Sequence, residues 1–165
     1  MADLLECLLQ IKALKETPAR AAALVEQAAP EAWTRRPGEG VWAPVEVLAH
    51  LADVELVQAV RLRLMLTAER PALPRFDQTA LARRARYLEW PPSLALERFR
   101  LRRGDSLEIL ADSSAEDLAR TGTHPTRGEM SVADLVAMML AHDTDHVGQM
   151  RTRLGIAPPD APARR

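Results

Sequence analysis

The sequence predicts an all-α fold, a four-helix bundle with a long connection in its middle. Apolar residues recur at helical spacing in four long segments, strand patterns are nearly absent, and prolines and glycines separate the helical segments. With 165 residues, 47% of them hydrophobic and 27% charged, the chain is long enough to bury a sizeable core. We therefore expect one bundle domain over residues 1–154 and a flexible tail over residues 155–165.

The first helical segment contains apolar residues at amphipathic spacing from Leu4 to Leu14. Thr17 and Pro18 then have the pattern of an N-cap followed by proline at the first helical position. This pattern predicts a helix that restarts here and runs to about Ala29. Whether Pro18 breaks or only kinks the element is left open by the pattern.

Turn residues delimit the second helix. A loop rich in Pro and Gly at residues 30–41 precedes a long helix over about residues 43–69. The stretch 70–92 contains four prolines, so it is expected to be the long middle connection, with a short helix near residues 79–86.

The last two long helices have recognisable starts. Ser93 can cap a third long helix that reaches about residue 112. A second loop with glycine and proline follows at residues 122–128. Ser131 and Asp134 have the spacing of a capping box, which predicts a final helix to about residue 154, ended by Gly155.

The charge balance argues against a nucleic-acid partner. The net charge is −1, with 22 basic and 23 acidic side chains, and no basic surface is evident that could displace counterions from phosphates. The arginine-rich stretch at residues 98–103 is the strongest exception. We expect it to be the solvated face of a helix, and the alternative is a site for phosphate or an acidic partner.

The cysteine count and the lack of a long apolar run predict the redox chemistry and the location of the protein. Cys7 is the only cysteine, which excludes an intramolecular disulfide and a cysteine-based zinc site, and its apolar neighbours predict a buried thiol. No apolar run has the length of a membrane span, and the N-terminal residues lack the pattern of a signal peptide. We therefore expect a cytoplasmic protein with no membrane partner.

Three histidines carry the strongest chemical signal. His142 and His146 are four residues apart on one predicted helix, so both imidazoles can reach a single cation. His50 lies on another predicted helix and could complete a three-nitrogen site with an open coordination position. The alternative is that each is an ordinary buried histidine. His124, between glycine and proline residues, is expected to have a turn or surface role.

Polar residues near these histidines are candidates for supporting roles. Glu46, Asp53 and Asp145 could transfer protons or orient an imidazole, and the alternative for each is a solvated or salt-bridged carboxylate. Asp143 points away from the ligand face, which favours a supporting or inter-helix role. Gln149 could hydrogen-bond to the site or cap the polar end of the bundle.

Three segments and their spacing together resemble the DinB-like (YfiT-like) family. They are RPGEGVWAPVEVLAHLADVE at residues 36–55, GTHPTRGEMSVADL at 122–135 and AHDTDHVGQM at 141–150. The resemblance implies a four-helix bundle, often a homodimer, with one divalent metal ion (Zn, Ni, Fe or Mn) held by His50, His142 and His146. Ala43 departs from the family pattern, in which Ser or Thr commonly follows the tryptophan and caps the helix.

The resemblance also implies an activity. Some family members are similar to thiol S-transferases that use a low-molecular-weight thiol such as bacillithiol or mycothiol, and others to hydrolases. We expect a divalent-metal-dependent enzyme acting on a small-molecule substrate, with thiol S-transfer as the main hypothesis. The alternatives are a metal-dependent hydrolase and a non-catalytic metal-binding protein of a stress response.

Overall fold

The computed structural model describes residues 4–157. Its four long helices form a bundle, which confirms the predicted fold class. The elements in chain order are α1 (Leu4–Gln27), α2 (Pro44–Thr67), α3 (Gln78–Arg84), α4 (Pro92–Ala111), α5 (Ala115–Ala119), β1 (Thr121–His124), β2 (Gly128–Ser131) and α6 (Val132–Arg153), with short 3-10 helices at Pro30–Ala32 and Tyr87–Glu89.

The long helices pack in an order that differs from their order in the chain. Helices α1 and α2 each pack against both α4 and α6, so α1 and α2 lie at diagonal corners of the bundle. The long connection predicted between the second and third long helices is present and carries α3. Because α2 and α6 are neighbours, residues almost 100 positions apart in the chain can share one site.

The structure contradicts the predicted restart of the first helix at Thr17. The helix is continuous from Leu4 to Gln27, and Thr17 and Pro18 lie buried inside it. Proline removes one hydrogen bond of the helix. Tertiary packing on both sides of Pro18 offsets that loss, as it commonly does when a helix buries an apolar face.

A small β-hairpin was not predicted. Strands β1 and β2 pair antiparallel from Thr121 opposite Ser131 to His124 opposite Gly128. Leu73 from the middle connection donates its N–H to the Thr123 carbonyl oxygen at 2.9 Å. These strands have four residues each, which is too short to show clear alternation of apolar and polar side chains. The β1–β2 pairing and the contact with Leu73 give hydrogen-bond partners to backbone N–H and C=O groups of the hairpin and the middle connection.

The predicted ends of α6 are confirmed. Ser131 Oγ accepts a hydrogen bond from Asp134 N at 3.0 Å, and Asp134 Oδ2 accepts from Ser131 N at 2.8 Å. At the other end, Gly155 has a φ of 69°, the left-handed conformation that terminates helices. The predicted flexible tail lies outside the described residues from position 158 onwards.

The apolar core is divided by a layer of charged side chains. One apolar cluster contains Trp33, Leu48 and Phe99, and the other contains Leu14, Leu62 and Met139. Between them along the helices lie buried charged residues, namely Glu55, Arg103 and Asp143. Within residues 4–157, no helix combines the length and the hydropathy that a membrane span requires.

The N-terminus of α2 lacks a capping side chain, and adding one should stabilise the protein. Ala43 occupies the N-cap and has no side-chain acceptor, although Glu46 Oε2 accepts from Ala43 N at 2.8 Å. Ala43→Ser would add a hydroxyl that accepts a hydrogen bond from the backbone N–H of Glu46. We therefore expect the free energy of unfolding, measured by urea denaturation, to rise by about 1 kcal/mol. Ala111→Ser, the same substitution at an exposed position at the end of α4, is the control for effects of serine unrelated to capping. An equal change in both variants would contradict the capping explanation.

Candidate metal centre

The bundle brings the three predicted histidines together. His50 lies in α2, and His142 and His146 lie in the C-terminal half of α6, which packs against α2. His50 Nε2 is 3.1 Å from His142 Nε2, and one ring nitrogen of each histidine lies within 4.8 Å of those of the other two. Three imidazoles therefore converge from two helices.

One separation within this convergence matches the spacing of two ligands on a metal ion. Two imidazole nitrogens bound to one zinc ion at about 2.0–2.1 Å are roughly 3.3 Å apart, because the ligands take tetrahedral directions. The 3.1 Å between His50 and His142 is close to this separation. A set of three nitrogen ligands suits zinc, nickel, iron or another divalent transition metal, and it leaves coordination positions for water or substrate.

His50 is held in its neutral form. Its side chain is buried, and burial, followed by the charges of His142 and His146, lowers the pKa of His50 to about 3. A neutral imidazole has a lone pair available for a metal ion. His50 Nδ1 is buried and has no hydrogen-bond partner within residues 4–157, while the Trp42 ring packs at 5.1 Å between centroids. Packing against Trp42 therefore orients this ring.

A hydrogen-bond chain orients His146. Gln149 Nε2 donates to Asp145 Oδ2 at 2.6 Å, which leaves Gln149 Oε1 as the acceptor facing His146 Nδ1 at 3.2 Å. His146 Nδ1 must then carry the proton, and the lone pair lies on Nε2. Burial, then the charge of His142, lowers the pKa of His146. Gln149 and Asp145 thus leave the lone pair of His146 Nε2 available to a metal ion.

His142 faces a buried carboxylate. Asp143 Oδ1 lies 4.0 Å from His142 Nδ1, and Asp143 Oδ2 accepts a hydrogen bond from Arg103 Nη1 at 2.7 Å. Burial alone would raise the pKa of Asp143, but the contacts with His142 and Arg103 outweigh burial and hold it below its usual range. The supporting role predicted for Asp143 therefore has a geometric basis.

Two of the candidate carboxylates are bound elsewhere. Glu46 accepts hydrogen bonds from the Arg36 guanidinium and from the Ala43 backbone. Asp53 accepts from the Tyr87 hydroxyl at 2.6 Å and from Arg102 at 2.5 Å. These contacts attach the loop before α2 and the segment after α3 to the bundle. Glu46 and Asp53 are therefore salt-bridged carboxylates, the alternative that the sequence left open for them.

His124 is separate from the three converging histidines. It ends β1, is buried, and its Nδ1 accepts a hydrogen bond from Thr126 N at 3.3 Å. The hydrogen bond to Thr126 agrees with the expected role in a turn, whereas the burial of His124 contradicts the alternative of a surface role.

Sequence reasoning missed Arg103 and its partner Glu55. The expectation of a solvated face at residues 98–103 is wrong for Arg103, which is 1% exposed and donates to Glu55 Oε2 at 2.6 Å. Burial alone would lower the pKa of Arg103, but Glu55 and Asp143 outweigh it and raise the pKa. One signal existed in the chain, since Arg103 lies four residues after Phe99 and seven before Leu110 on the buried stripe of α4.

Most of the chain matches a single protein-family model. Residues 13–150 match the family model described as the DinB superfamily. The chain belongs to the DinB superfamily. This match includes all three converging histidines and confirms the resemblance drawn from the sequence segments.

Relatives of this DinB-superfamily chain carry names that refer to metal dependence. A protein of Oceanobacillus iheyensis named a "putative metal-dependent hydrolase" is 30% identical over 120 residues, or 70% of this chain. The matched segment spans 66% of that relative's length, just under two thirds.

Two solved structures share the fold. YfiT from Bacillus subtilis, described as a probable metal-dependent hydrolase, superimposes with a TM-score of 0.84 at 22% identity, covering 95% of this chain and 92% of YfiT. A mycothiol-dependent maleylpyruvate isomerase superimposes with a TM-score of 0.73 at 12% identity, covering 94% of this chain and 64% of the isomerase. At these identities, the two structures establish the likeness of the fold.

The lowered pKa of His50 predicts how the metal-free protein responds to acid. An unfolded chain takes up a proton at this histidine below about pH 6.5. The folded chain does so only near pH 3. The free energy of unfolding should therefore fall as the pH drops from about 6.5 towards 3, and this group should have no effect above that window.

Urea denaturation with a chelator at pH 7 and pH 5 measures this effect. His50→Gln removes the titrating group, so we expect its stability to depend less on pH than that of the wild type. Equal losses of stability in the two proteins would contradict the prediction.

Proposed function

We propose that this chain is a metal-dependent hydrolase whose divalent ion is held by His50, His142 and His146. The observation that carries the proposal is the convergence of three imidazole nitrogens within 4.8 Å, two of them on one face of α6. The names of the relatives favour hydrolysis over the thiol S-transfer that was the main hypothesis from the sequence.

The three-histidine set suits an open, reactive centre. A divalent ion bound there supplies a Lewis acid that lowers the pKa of water and polarises a substrate carbonyl or phosphoryl group. His142 keeps 27% of its side chain exposed, so the site can be reached from solvent. His50, on the opposite side, is buried against Trp42 and closes the inner wall.

Among Glu46, Asp53 and Asp145, Asp145 is the carboxylate best able to exchange a proton with solvent. It is exposed, it immediately precedes His146, and it is bonded to Gln149, which contacts His146. Glu46 and Asp53 are bound to Arg36 and Arg102, respectively. We therefore propose Asp145 as the group that accepts a proton during hydrolysis.

A second candidate function is thiol S-transfer with a low-molecular-weight thiol. It is supported by the fold shared with the mycothiol-dependent isomerase. The same site could lower the pKa of a thiol and hold it for attack on an electrophile. The cytoplasmic location, the small-molecule substrate and the homodimer stay predictions.

The test combines metal analysis with two activity screens. Protein purified without a His-tag or nickel column should contain about one divalent ion per chain, since nickel columns can load such sites artificially. Hydrolysis of ester, amide and phosphoester substrates should require the ion and stop with chelator. Turnover only when thiol and electrophile are both supplied would favour the transferase instead.

Thermal melting with and without chelator separates catalysis from a structural role. Loss of activity with little change in melting supports an enzyme, whereas collapse of the fold supports a non-catalytic metal-binding protein. A wild-type protein that binds no divalent ion at stoichiometric level would contradict every metal-dependent function.

A further inference from the structure

Pro18 leaves an unusual acceptor in the middle of α1. In a regular helix, the N–H of residue 18 would donate to the carbonyl oxygen of Leu14, four residues earlier. Proline has no N–H, and its ring also pushes that carbonyl away from the helix axis. The Leu14 oxygen instead accepts a hydrogen bond from Arg103 Nη1 at 3.0 Å. The proline thus provides a binding point for a side chain of another helix.

Arg103 joins all four long helices. From α4 it donates to Leu14 O in α1, to Glu55 Oε2 in α2 at 2.6 Å and to Asp143 Oδ2 in α6 at 2.7 Å. The Arg103 side chain is 1% exposed, so water cannot replace these contacts. Three acceptors in three directions determine where the guanidinium lies and therefore where Asp143 lies.

The charges around Arg103 do not balance. One guanidinium faces two carboxylates, Glu55 and Asp143, all three in the buried interior. Asp143 is also 4.0 Å from His142 Nδ1, which is too far for a hydrogen bond but close enough for an electrostatic contact. The surplus negative charge therefore lies beside a histidine of the converging set, where it favours a bound cation.

We propose that Arg103, anchored on the carbonyl that Pro18 frees, is a positioning residue that holds Asp143 beside His142 and thereby raises the metal affinity of the site. Carboxylates that face the outer nitrogen of a ligating histidine fix its orientation and increase its basicity. This inference rests on the proposed function, because it assumes that the three histidines bind a divalent ion.

Two carboxylate variants separate positioning from stability. Asp143→Asn and Glu55→Gln each remove one carboxylate bonded to Arg103, but only Asp143 contacts His142. In zinc titrations against a chromophoric chelator, Asp143→Asn should bind zinc about 10-fold more weakly than the wild type, the lower end of the range for hydrogen-bonded carboxylates, because the contact at 4.0 Å is electrostatic. Glu55→Gln keeps an oxygen that can accept from Arg103 and removes a charge that does not contact His142, so we expect its zinc affinity to fall clearly less than that of Asp143→Asn, although its melting temperature also falls.

A third variant tests the role of the proline. Pro18→Ala restores an N–H that competes for the Leu14 oxygen, and alanine favours the helix, so folding should be kept. We expect several-fold weaker zinc binding and an altered visible spectrum of the cobalt-substituted protein. Unchanged zinc affinity in Pro18→Ala would overturn the anchoring role.

The metal affinities of the carboxylate variants and of the wild type distinguish failure of the positioning role from failure of the proposed function. Equal zinc affinities in Asp143→Asn and the wild type, or equal losses in Asp143→Asn and Glu55→Gln, would overturn the positioning role while leaving the proposed function intact. Failure of the wild-type protein to bind zinc, nickel, iron or manganese would instead remove the proposed function itself.

Discussion

His142→Ala is expected to abolish stoichiometric binding of a divalent ion while the bundle stays folded. The side chain contributes one of three converging nitrogens and is only half-buried, so its loss removes a ligand and little of the core. Zinc affinities of four-ligand sites suggest roughly 3 kcal/mol per ligand, which corresponds to at least about a hundredfold weaker binding. Elemental analysis after dialysis and zinc titration measure both effects.

His124→Ala is the matched control for this prediction. It removes the one histidine that lies outside the convergence, in the β-hairpin. We expect its zinc affinity to equal that of the wild type. Full metal content in His142→Ala, or equal losses in the two variants, would contradict the assignment of the three histidines as ligands.

Arg103→Met is expected to lower the free energy of unfolding by about 3–5 kcal/mol. Glu55 and Asp143 would remain buried without their cation, and Leu14 O would lose its hydrogen bond. Removing one member of a buried ion network is costly because the charges left behind are no longer compensated. Urea denaturation in the presence of chelator measures the change without any contribution from a bound metal.

Arg100→Met provides the comparison on the same helix. Arg100 is exposed, so its replacement should change the stability by no more than about 0.5 kcal/mol. A loss in Arg103→Met that is as small as this would mean that the buried network contributes little to the fold.

Much of the fold could be predicted because it depends on short-range patterns. The capping box of Ser131 and Asp134 and the left-handed Gly155 are local features that delimit α6 in the chain and in the structure. The spacing of His142 and His146 is likewise local, since the helical repeat alone places both rings on one face. Their pairing with His50 depended on two helices being neighbours, and the resemblance to the family supported it.

Pro18 and Arg103 show why other features could not be predicted. Each has a strong local preference, for a helix start in one case and for solvent in the other. Both preferences are outweighed in the structure because each residue supplies what the other lacks: Pro18 leaves a carbonyl free and Arg103 needs a buried acceptor. A hydrogen bond between residues 14 and 103 has no signature in either segment alone.

The carboxylates illustrate the same limit at the site. The sequence placed Glu46, Asp53, Asp143 and Asp145 near the histidines, but it could not assign their partners. The structure binds Glu46 to Arg36 and Asp53 to Arg102, and it leaves Asp143 beside His142 and Asp145 in contact with Gln149. Supporting roles around the candidate centre are therefore a property of the packed molecule.

The sequence by itself determined the helical character of the chain, most helix boundaries and the two histidines that share a face, because these depend on residues within one or two turns of each other. Only the tertiary structure decided which carboxylates face the histidines and which charges are buried. Those outcomes depend on which helices become neighbours, and the free energy of a buried charge is set by partners that are far away in the chain.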